Sequence, residues 1–432
     1  MTSLPPSLIH LDGTTLEGGG QLLRVALGLS SLTRKPIHIT QIRGKRSGGG
    51  GLKAQHLTSV EWLGLASEAK TTGAELKSKE IVFTPGAALQ ANNLLNAGEV
   101  RIRQTTPGSV NLVLQAILPY ILFSGVEHPI RVRIEGGTNV SSAPSIDYIT
   151  QVLIPMLQLI GIPHITTAIH SRGWSQGRAA IGSVTYTITP LQARLPGFQL
   201  TERGDIVSIT ATIIAPRDTE QQFREELDDM FERRILRCLG SNAGNAEIST
   251  TITFEHSHHE KRYYLLLVAT TSTGMRIGRD WLYDRGFKSG LLERIVPGMV
   301  KKVSDDLMAE IEHGGCVDEY LRDQLVVFQA LAQGESRVYG GKKKDGGFLE
   351  PSLHAKTAMW VAKEILGVDF DGESVCEGVG YAASVVNEVG EDMAKSLEGL
   401  AHHRVDTIAI ADLVIEFIRS KFKQSPFILC AR

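Results

Sequence analysis

The sequence of 432 residues is 42% hydrophobic and 21% charged, which is typical of a globular protein with core enough for two or three domains. Its formal net charge of −2 excludes a strongly basic field over the whole molecule. Any contact with a nucleic acid must therefore come from a local basic patch, and its strength would depend on salt.

The cysteines and the apolar segments indicate the compartment. Cys238, Cys316, Cys376 and Cys430 form no Cys-x-x-Cys pair, so we expect neither a disulfide framework nor a structural zinc site. The first residues, MTSLPPSLIHLDG, lack the basic and then apolar pattern of a signal peptide. The longest apolar run, residues 111–123, is too short to span a bilayer. We therefore expect an intracellular protein without a membrane segment.

A structural unit is repeated along the first half of the chain. In each copy a Gly-, Pro- or Ser-rich loop leads into an apolar helix, and a β-branched strand follows. The copies are EGGGQLLRVALGLSSL before PIHITQI, TPGSVNLVLQAILPYIL before PIRVRI, and APSIDYITQVLIPMLQLIG before HITTAI. Apolar spacings of three and four in the helices and alternation in the strands predict an α/β architecture of repeated units.

The pattern changes near Leu191. A strand-like run at 206–215 precedes a charged amphipathic helix at 219–239, and the strand-like AEISTTITF and RYYLLLVATT follow. We interpret residues 191–296 as a smaller α/β domain inserted into a large domain formed by 1–190 and 297–432.

Common nucleotide-binding and hydrolase motifs are absent or out of context. The sequence contains no P-loop and no Gly-x-Gly-x-x-Gly at a strand-to-helix turn. GWSQG at 173–177 matches the nucleophile elbow of α/β hydrolases, with Ser175 as the nucleophile. That elbow needs a helix after it, whereas the strand-like GSVTYTIT follows here, so a hairpin is favoured over a hydrolase site.

A histidine cluster and a lysine cluster are interpreted as solvated segments in preference to binding sites. His256, His258 and His259 could hold a metal only if they converged, and no carboxylate or cysteine nearby completes a ligand set. A solvated turn is the favoured interpretation. Residues 342–344 are three lysines between glycines, which favours a solvated loop over a phosphate-contacting one.

The segment EGGGQLLR at 17–24 is a candidate phosphate site. The strand-like IHLDGTTLE leads into three glycines, and a helix is predicted from about Gln21. Glycines allow a close approach of the backbone to a phosphate, and a helix N-terminus offers unpaired N–H groups. Glu17 could hold a divalent cation, and Arg24 follows one turn into the helix. A plain strand–helix turn is the alternative.

A second candidate is QIRGKRSGGGGLKAQHL at 41–57, where cations and amide groups surround a glycine-rich loop. The residues concerned are Arg43, Lys45 and Arg46 before the loop and Lys53, Gln55 and His56 after it. This arrangement is suited to binding an anion, although a mobile surface loop would have the same composition.

Two predicted helices complete the set of candidates. In VDEYLRDQLVVFQALAQG, Tyr320, Asp323 and Gln324 share one face and could support a nucleobase and its ribose; an exposed polar face is the alternative. In PSLHAKTAMWVAKEIL, Ser352 is a good N-cap, which places His354 in the first helical turn. The positive helix end disfavours imidazolium and favours an incoming phosphate, so His354 is a candidate nucleophile. A surface or core histidine is the alternative.

Taken in order, these segments resemble the RNA 3′-terminal phosphate cyclase family. The matching motifs are EGGGQLLR, IRGKRS…AQHL, TPGSVNLVLQ, GGTNVSSAPSIDY, VDEYLRDQLVVF and SLHAKTA, and LTERG with TSTGMRIG resembles the family's insert domain. The resemblance implies a large domain of three repeated units, each of two helices and a four-stranded sheet, with a smaller inserted α/β domain. We expect a protein of the nucleoplasm rather than of the cytoplasm; the sequence does not indicate the oligomeric state.

The resemblance also implies a three-step reaction on RNA with a 3′-phosphate end. The imidazole of His354 would attack the α-phosphate of ATP, giving a covalent histidine–AMP and pyrophosphate. AMP would pass to the RNA 3′-phosphate, and the neighbouring 2′-OH would then close a 2′,3′-cyclic phosphate and release AMP. Mg²⁺ or Mn²⁺ would accompany ATP.

The family's functional residues are matched position by position. The residues that match nucleotide contacts are Gln115, Pro144, Tyr320, Asp323 and Gln324, with His354 as the adenylylated residue. Glu17 matches an active-site acid, which we propose as a metal ligand. The residues that match active-site or RNA-phosphate positions are Gln21, Arg24, Arg43, Arg46, Gln55 and His56.

The chain departs from the family pattern in three segments. The loop usually reading STPGLRPQ is SGGGGLKAQ, with Lys53 in place of an arginine, so it lacks that bidentate phosphate contact. SQGRAAIG at 175–182 replaces a PKGGG turn, and extra sequence lies between Gln333 and His354. These changes concern substrate preference more than adenylylation. The alternative function is that of a non-catalytic relative in ribosomal RNA processing, a branch that lacks the histidine and the EGGGQ segment.

Overall fold

The computed structural model describes residues 7–45, 49–86, 93–235, 248–285 and 292–382. Two four-stranded sheets in its first half have the same construction. The first contains β1 (Ile9–Asp12), β2 (Ile37–Thr40), β3 (Lys70–Thr72) and β4 (Ile81–Thr84), in the order β1-β2-β4-β3. The second contains β5 (Glu99–Arg103), β6 (Ile130–Gly136), β7 (Thr166–Ser171) and β8 (Gly182–Ile188), in the order β5-β6-β8-β7. In both sheets the first pair is parallel and the other two pairs are antiparallel.

Apolar helices cover these sheets. They are α1 (Gly20–Thr33), α2 (Ala54–Ala66), α3 (Asn93–Asn96), α4 (Val110–Leu122), α5 (Ile146–Tyr148) and α6 (Ile154–Leu159), the last two joined by a π-helical turn at Ile149–Leu153. Helices α1 and α4 approach closely, because a Cβ at Gly28 would lie 2.9 Å from the carbonyl oxygen of Ala116. The Ser109 side chain caps α4 by accepting the Leu112 N–H at 3.3 Å, as expected for the TPGSV loop.

The inserted block forms a sheet of its own. After the short strand β9 (Gln199–Leu200), it contains β10 (Ile206–Ala215), a 3₁₀ turn at Arg217–Thr219, α7 (Glu220–Met230), a π-helical turn at Phe231–Ile235, β11 (Ser249–His256), β12 (Tyr264–Thr271), β13 (Arg276–Leu282), a 3₁₀ turn at Leu292–Arg294 and α8 (Ile295–Glu312). The sheet order is β11-β10-β12-β13, so β13 is an edge strand. The apolar run of β12 is buried on both faces: Leu265 and Leu267 pack into the insert's own core, whereas Tyr264 and Leu266 pack into the larger core.

A third sheet follows the insert. It contains β9, β14 (Gln333–Val338) and β15 (Val375–Val379) in the order β15-β14-β9, and the helices beside it are α9 (Glu319–Leu331) and α10 (Leu353–Leu366). Strand β9 is parallel to β14, and β14 is antiparallel to β15, so three strands reproduce the arrangement of the first two sheets. The α/β fold predicted from the repeats is confirmed.

The extent of the insert stays a prediction, and the packing suggests a later segment than 191–296. Leu195 and Phe198 belong to the larger core, and the second core begins at Ile206. That second core includes the buried face of α8 as far as Ile311, because this amphipathic helix covers the insert sheet. We therefore propose that the insert comprises about residues 206–312.

Strands β7 and β8 are antiparallel neighbours around GWSQG, which is the predicted hairpin and not a strand–helix elbow. Cys316 and Cys376 are buried free thiols. The predictions for Arg46, Cys238, Cys430 and residues 383–432 lie outside the described residues. Within the described part of the chain, every helix is too short or too polar to cross a bilayer.

Candidate active site

Most of the predicted site residues line one cavity of about 460 Å³, a size typical of small-molecule sites. The predicted residues that line it are Gln21, Arg24, Gln115, Pro144, Tyr320, Asp323, Gln324 and His354. They come from α1, α4, the loop before α5, α9 and α10, elements that are far apart in the sequence. The fold therefore brings the separate candidate segments together.

The EGGGQ segment forms the turn into α1. Gly18 has a φ of +58°, and the Glu17 carboxylate accepts the Gly19 N–H at 2.7 Å. A Cβ at Gly19 would overlap that carboxylate, and a Cβ at Gly20 would lie 2.6 Å from Nη1 of Arg24. The glycines thus leave room for an acid and a cation at the start of the helix. One N–H group expected to face a phosphate is instead bonded to Glu17.

His354 lies in the first turn of α10, as predicted. Ser352 caps the helix by accepting the Ala355 N–H at 3.1 Å, and His354 is exposed to the cavity. The Glu17 N–H donates to Oγ1 of Thr357 at 3.1 Å, one turn further along α10. This bond connects the EGGGQ turn directly to the helix of His354.

Gln21 and Arg24 provide unsatisfied donors beside the cavity. Arg24 Nη2 donates to Oε1 of Gln21 at 2.7 Å. Arg24 Nε and Gln21 Nε2 are buried and find no hydrogen-bond partner among the described residues. Burial lowers the pKa of Arg24 to about 10, while the carboxylates of Asp323 and Glu17 act in the opposite direction. Buried donors of this kind are normally satisfied, so an anionic ligand fits this part of the wall.

The second candidate segment lies behind the EGGGQ turn. His56 is buried, and its Nε2 would lie 3.2 Å from a Cβ at Gly20. Burial, helped by the charges of Arg24 and Arg43, lowers the pKa of His56 to about 3, so the ring is neutral. The Arg43 N–H donates to the Gly18 carbonyl at 3.1 Å. These contacts place His56 and the backbone of Arg43 next to the same turn, although neither residue lines the cavity.

Gln55 and Glu17 also lie outside the cavity lining. The Cβ of Gln55 would be 3.2 Å from a Cβ at Gly108, in the loop that precedes α4. Lys53, which replaces the family's arginine, is exposed at the start of α2. Arg46 lies outside the described residues.

Tyr320 is held from two sides. The Arg279 guanidinium lies over its ring at 4.3 Å from the centroid, and the Tyr148 ring meets it edge-on with centroids 6.2 Å apart. Asp318 caps α9 through the Leu321 N–H at 2.9 Å and accepts the Tyr148 hydroxyl at 2.6 Å. The platform predicted from helical spacing is therefore fixed by residues outside its own helix face.

Asp323 shares the face of Tyr320 and lies close to Arg24. Burial raises the pKa of Asp323 to about 7, and the Arg24 charge acts against this shift. The carboxyl group is therefore protonated more readily than an exposed aspartate. Gln324 is oriented by donating from Nε2 to the Tyr320 carbonyl at 3.1 Å.

The insert contributes a part of the cavity wall that was not predicted from the sequence. The residues concerned are Tyr264, Asp280, Trp281, Leu282, Asp284, Lys302 and Asp306. Ser145, which follows Pro144 directly and lines the same cavity, was not predicted either. The TSTGMRIG motif lies just before Asp280, and its position in the insert was the available signal.

The remaining candidate clusters lie apart from this cavity. The rings of His256 and His258 have centroids 4.3 Å apart. Within the residues that the structure describes, no group of three or more His, Cys, Asp or Glu side chains could hold a metal ion. Residues 342–344 are exposed, as expected for a solvated loop.

Comparison with known proteins identifies the family. The family model described as RNA 3′-terminal phosphate cyclase matches residues 15–371. A protein of Desulfurococcus amylolyticus named RNA 3′-terminal phosphate cyclase is 32% identical over 87% of this chain and 99% of its own length. Proteins of the same name from Staphylothermus marinus (33% identity, 83% of this chain, 92% of the relative) and Drosophila melanogaster (28%, 91% and 97%) are also similar. The chain therefore belongs to the RNA 3′-terminal phosphate cyclase family.

Proposed function

We propose that the protein is an ATP-dependent RNA 3′-terminal phosphate cyclase with His354 as its nucleophile. The observation that carries the proposal is that His354, Arg24 and the Tyr320 platform line one cavity. Family membership supports the reaction class, and the residues of this cavity support the assignment of roles.

In the first step a ring nitrogen of His354 attacks the α-phosphorus of ATP. A P–N bond forms, and the bond to the bridging oxygen breaks so that pyrophosphate leaves. The start of α10 favours this step, since its positive end attracts phosphate. Arg24 and Gln21 line the cavity, and we assign their donors to the charge that develops on the phosphate oxygens.

In the second step an oxygen of the RNA 3′-phosphate attacks the same phosphorus and the P–N bond breaks, giving an RNA–adenylate. The neighbouring 2′-oxygen then attacks the RNA phosphorus, loses its proton and expels AMP. AMP is a good leaving group, so the ring closure needs no further covalent catalysis. Arg43 and Arg24 are the cations that we assign to the RNA phosphate, because both lie at the EGGGQ turn.

A divalent cation, Mg²⁺ or Mn²⁺, would neutralise phosphate charge during the transfer. Glu17 is the carboxylate that we assign to this cation, because it lies at the EGGGQ turn that is bonded to the His354 helix. A single carboxylate suits Mg²⁺ in particular, which usually keeps waters and substrate phosphates as its other ligands. Location in the nucleoplasm stays a prediction.

Labelling with α-³²P-labelled ATP tests the nucleophile. Incubation with ATP and Mg²⁺ should label the native chain, and His354→Ala should abolish the label. His128→Ala is the matched control, since His128 is an exposed histidine outside the cavity. Persistent labelling of the His354 variant would assign the nucleophile to another residue.

A second assay tests the RNA product. An oligonucleotide with a 3′-phosphate should become resistant to phosphatase in the presence of ATP, whereas a 3′-OH end should not change. A chain that binds ribosomal RNA precursors but neither labels nor converts the 3′-phosphate would instead be the non-catalytic relative.

A further inference from the structure

The insert supplies a carboxylate to the proposed nucleotide cavity. Asp280 on β13 lines the same cavity as Tyr320 and Pro144. His354 and Arg24 are suited to phosphate, and Tyr320 and Pro144 are suited to the flat faces of a base. The hydrogen-bonding edge of the base would still need a partner, and Asp280 is a polar group available for that contact.

Asp280 is held in place by two hydroxyl groups. Ser145 Oγ and Tyr264 Oη lie 2.8 Å and 2.9 Å from Oδ2 of Asp280, and 2.5 Å from each other. Both hydroxyls can donate to Oδ2, while Oδ1 receives no hydrogen bond from the residues that the structure describes. The carboxylate therefore has one fixed oxygen and one oxygen available for a ligand.

The distance between Asp280 and the base-stacking residues is also fixed. Ser145 follows Pro144 directly, and the Pro144 carbonyl accepts Nδ2 of Asn111 at 2.8 Å. Two residues before Asp280, the Gly278 N–H donates to Oδ2 of Asp318, the N-cap of the Tyr320 helix, at 2.8 Å. A Cβ at Gly278 would lie 2.6 Å from Cγ2 of Val152, so glycine at this position lets β13 approach the π-helical turn at Ile149–Leu153 closely. The acceptor and both flat surfaces are parts of one packed unit.

We propose that Asp280 selects adenine, its Oδ1 accepting an N–H of the 6-amino group of the base. This inference rests on the proposed function, which places a nucleotide in the cavity. Adenine has a donor at position 6, whereas guanine and hypoxanthine have an oxygen there that would face the carboxylate. A site built around one hydrogen bond rejects an analogue that leaves its polar group unpaired.

The ionisation of Asp280 fits an acceptor role above neutral pH. Burial raises its pKa to about 6, with the hydrogen bonds from Ser145 and Tyr264 acting against this shift and the carboxylates of Asp147 and Asp318 adding to it. At pH 8 the group is therefore ionised, and both of its oxygens are acceptors.

The test compares nucleotides in the His354→Ala background, where no turnover interferes, by calorimetric titration at pH 8. We expect ATP to bind roughly ten- to a hundredfold more tightly than GTP or inosine triphosphate. Asp280→Asn should reduce the ATP-to-GTP preference at least tenfold, because the amide can donate to O6. Asp228→Asn, the same change on an exposed face of α7 in the insert, should leave the preference unchanged.

The outcomes separate the two proposals. Equal binding of ATP and inosine triphosphate would overturn the role of Asp280, and that comparison needs no substitution at Asp280. An unchanged preference in a folded Asp280→Asn variant would also overturn it. If ATP labels the native chain while either of these results is found, the proposed function is retained and only the role of Asp280 is rejected. If no nucleotide binds at all, the proposed function fails and this inference with it.

Discussion

Replacing Asp318 with alanine tests how the start of α9 is held. Its carboxylate accepts the Leu321 N–H at 2.9 Å, the Tyr148 hydroxyl at 2.6 Å and the Gly278 N–H at 2.8 Å. Losing the N-cap costs about 1 kcal/mol. Each of the two other donors is buried and would lose its partner, at about 1–3 kcal/mol each.

Part of that loss of stability is offset, because the substitution also removes the free-energy cost of burying a carboxylate. That cost is reflected in the pKa of Asp318, which burial raises. We therefore expect Asp318→Ala to lower the free energy of unfolding by about 3 kcal/mol, against a total of about 5–15 kcal/mol. Nucleotide affinity should fall about tenfold, because Tyr320 lies in the turn that loses its cap. Urea unfolding and calorimetric titration with ATP measure the two effects.

The matched control is Asp371→Ala. Asp371 accepts the N–H groups of Glu373 and Val375, both at 2.8 Å, but at an exposed turn where water can replace it. We expect a loss of less than about 1 kcal/mol there. Equal losses in the Asp318 and Asp371 variants would refute the argument from buried donors.

Two further predictions concern the platform and the buried histidine. Arg279→Lys keeps a positive charge near Glu310 but loses the planar stack on Tyr320. The ATP dissociation constant should therefore rise about three- to tenfold in a calorimetric titration. An unchanged dissociation constant would exclude a role for the stack. His56 has a pKa lowered to about 3 in the folded chain, so the unfolded chain binds more protons between that value and about 6.5. Stability should therefore fall as pH decreases through this window, and His56→Gln should flatten the plot of urea midpoint against pH. If the native chain and the variant gave the same slope, the pH dependence could not be assigned to His56.

Local sequence signals predicted the elements that position the candidate site residues. Ser352 as an N-cap and the spacing of Tyr320, Asp323 and Gln324 depend on contacts within three or four residues. Such contacts are visible in one segment of sequence, so the first turn of α10 and the cavity-facing side of α9 are as expected. The assembly of these segments into one cavity was implied by the family resemblance.

The contribution of the insert could not be predicted in the same way. Ser145 is separated by 119 residues from Tyr264 and by 135 from Asp280. Alternation along a strand shows which side chains share a face, but not what that face packs against. The apolar run of β12 indicated burial, and only the packing shows that one face contacts the insert helices and the other the larger core.

The position of the insert in the chain is consistent with the role proposed for Asp280. The insert lies between β9 and α9 of the third unit, so both of its ends are tied to the sheet and the helix that support Tyr320. Edge strand β13 then meets α9 through Gly278 and Asp318 and meets the Pro144 loop through Asp280 and Ser145. A shift of the insert would therefore displace Asp280 relative to Tyr320 and Pro144, which lie outside the insert. It follows that substitutions in the insert core should change nucleotide binding as well as stability, although none of the buried side chains of that core lines the cavity.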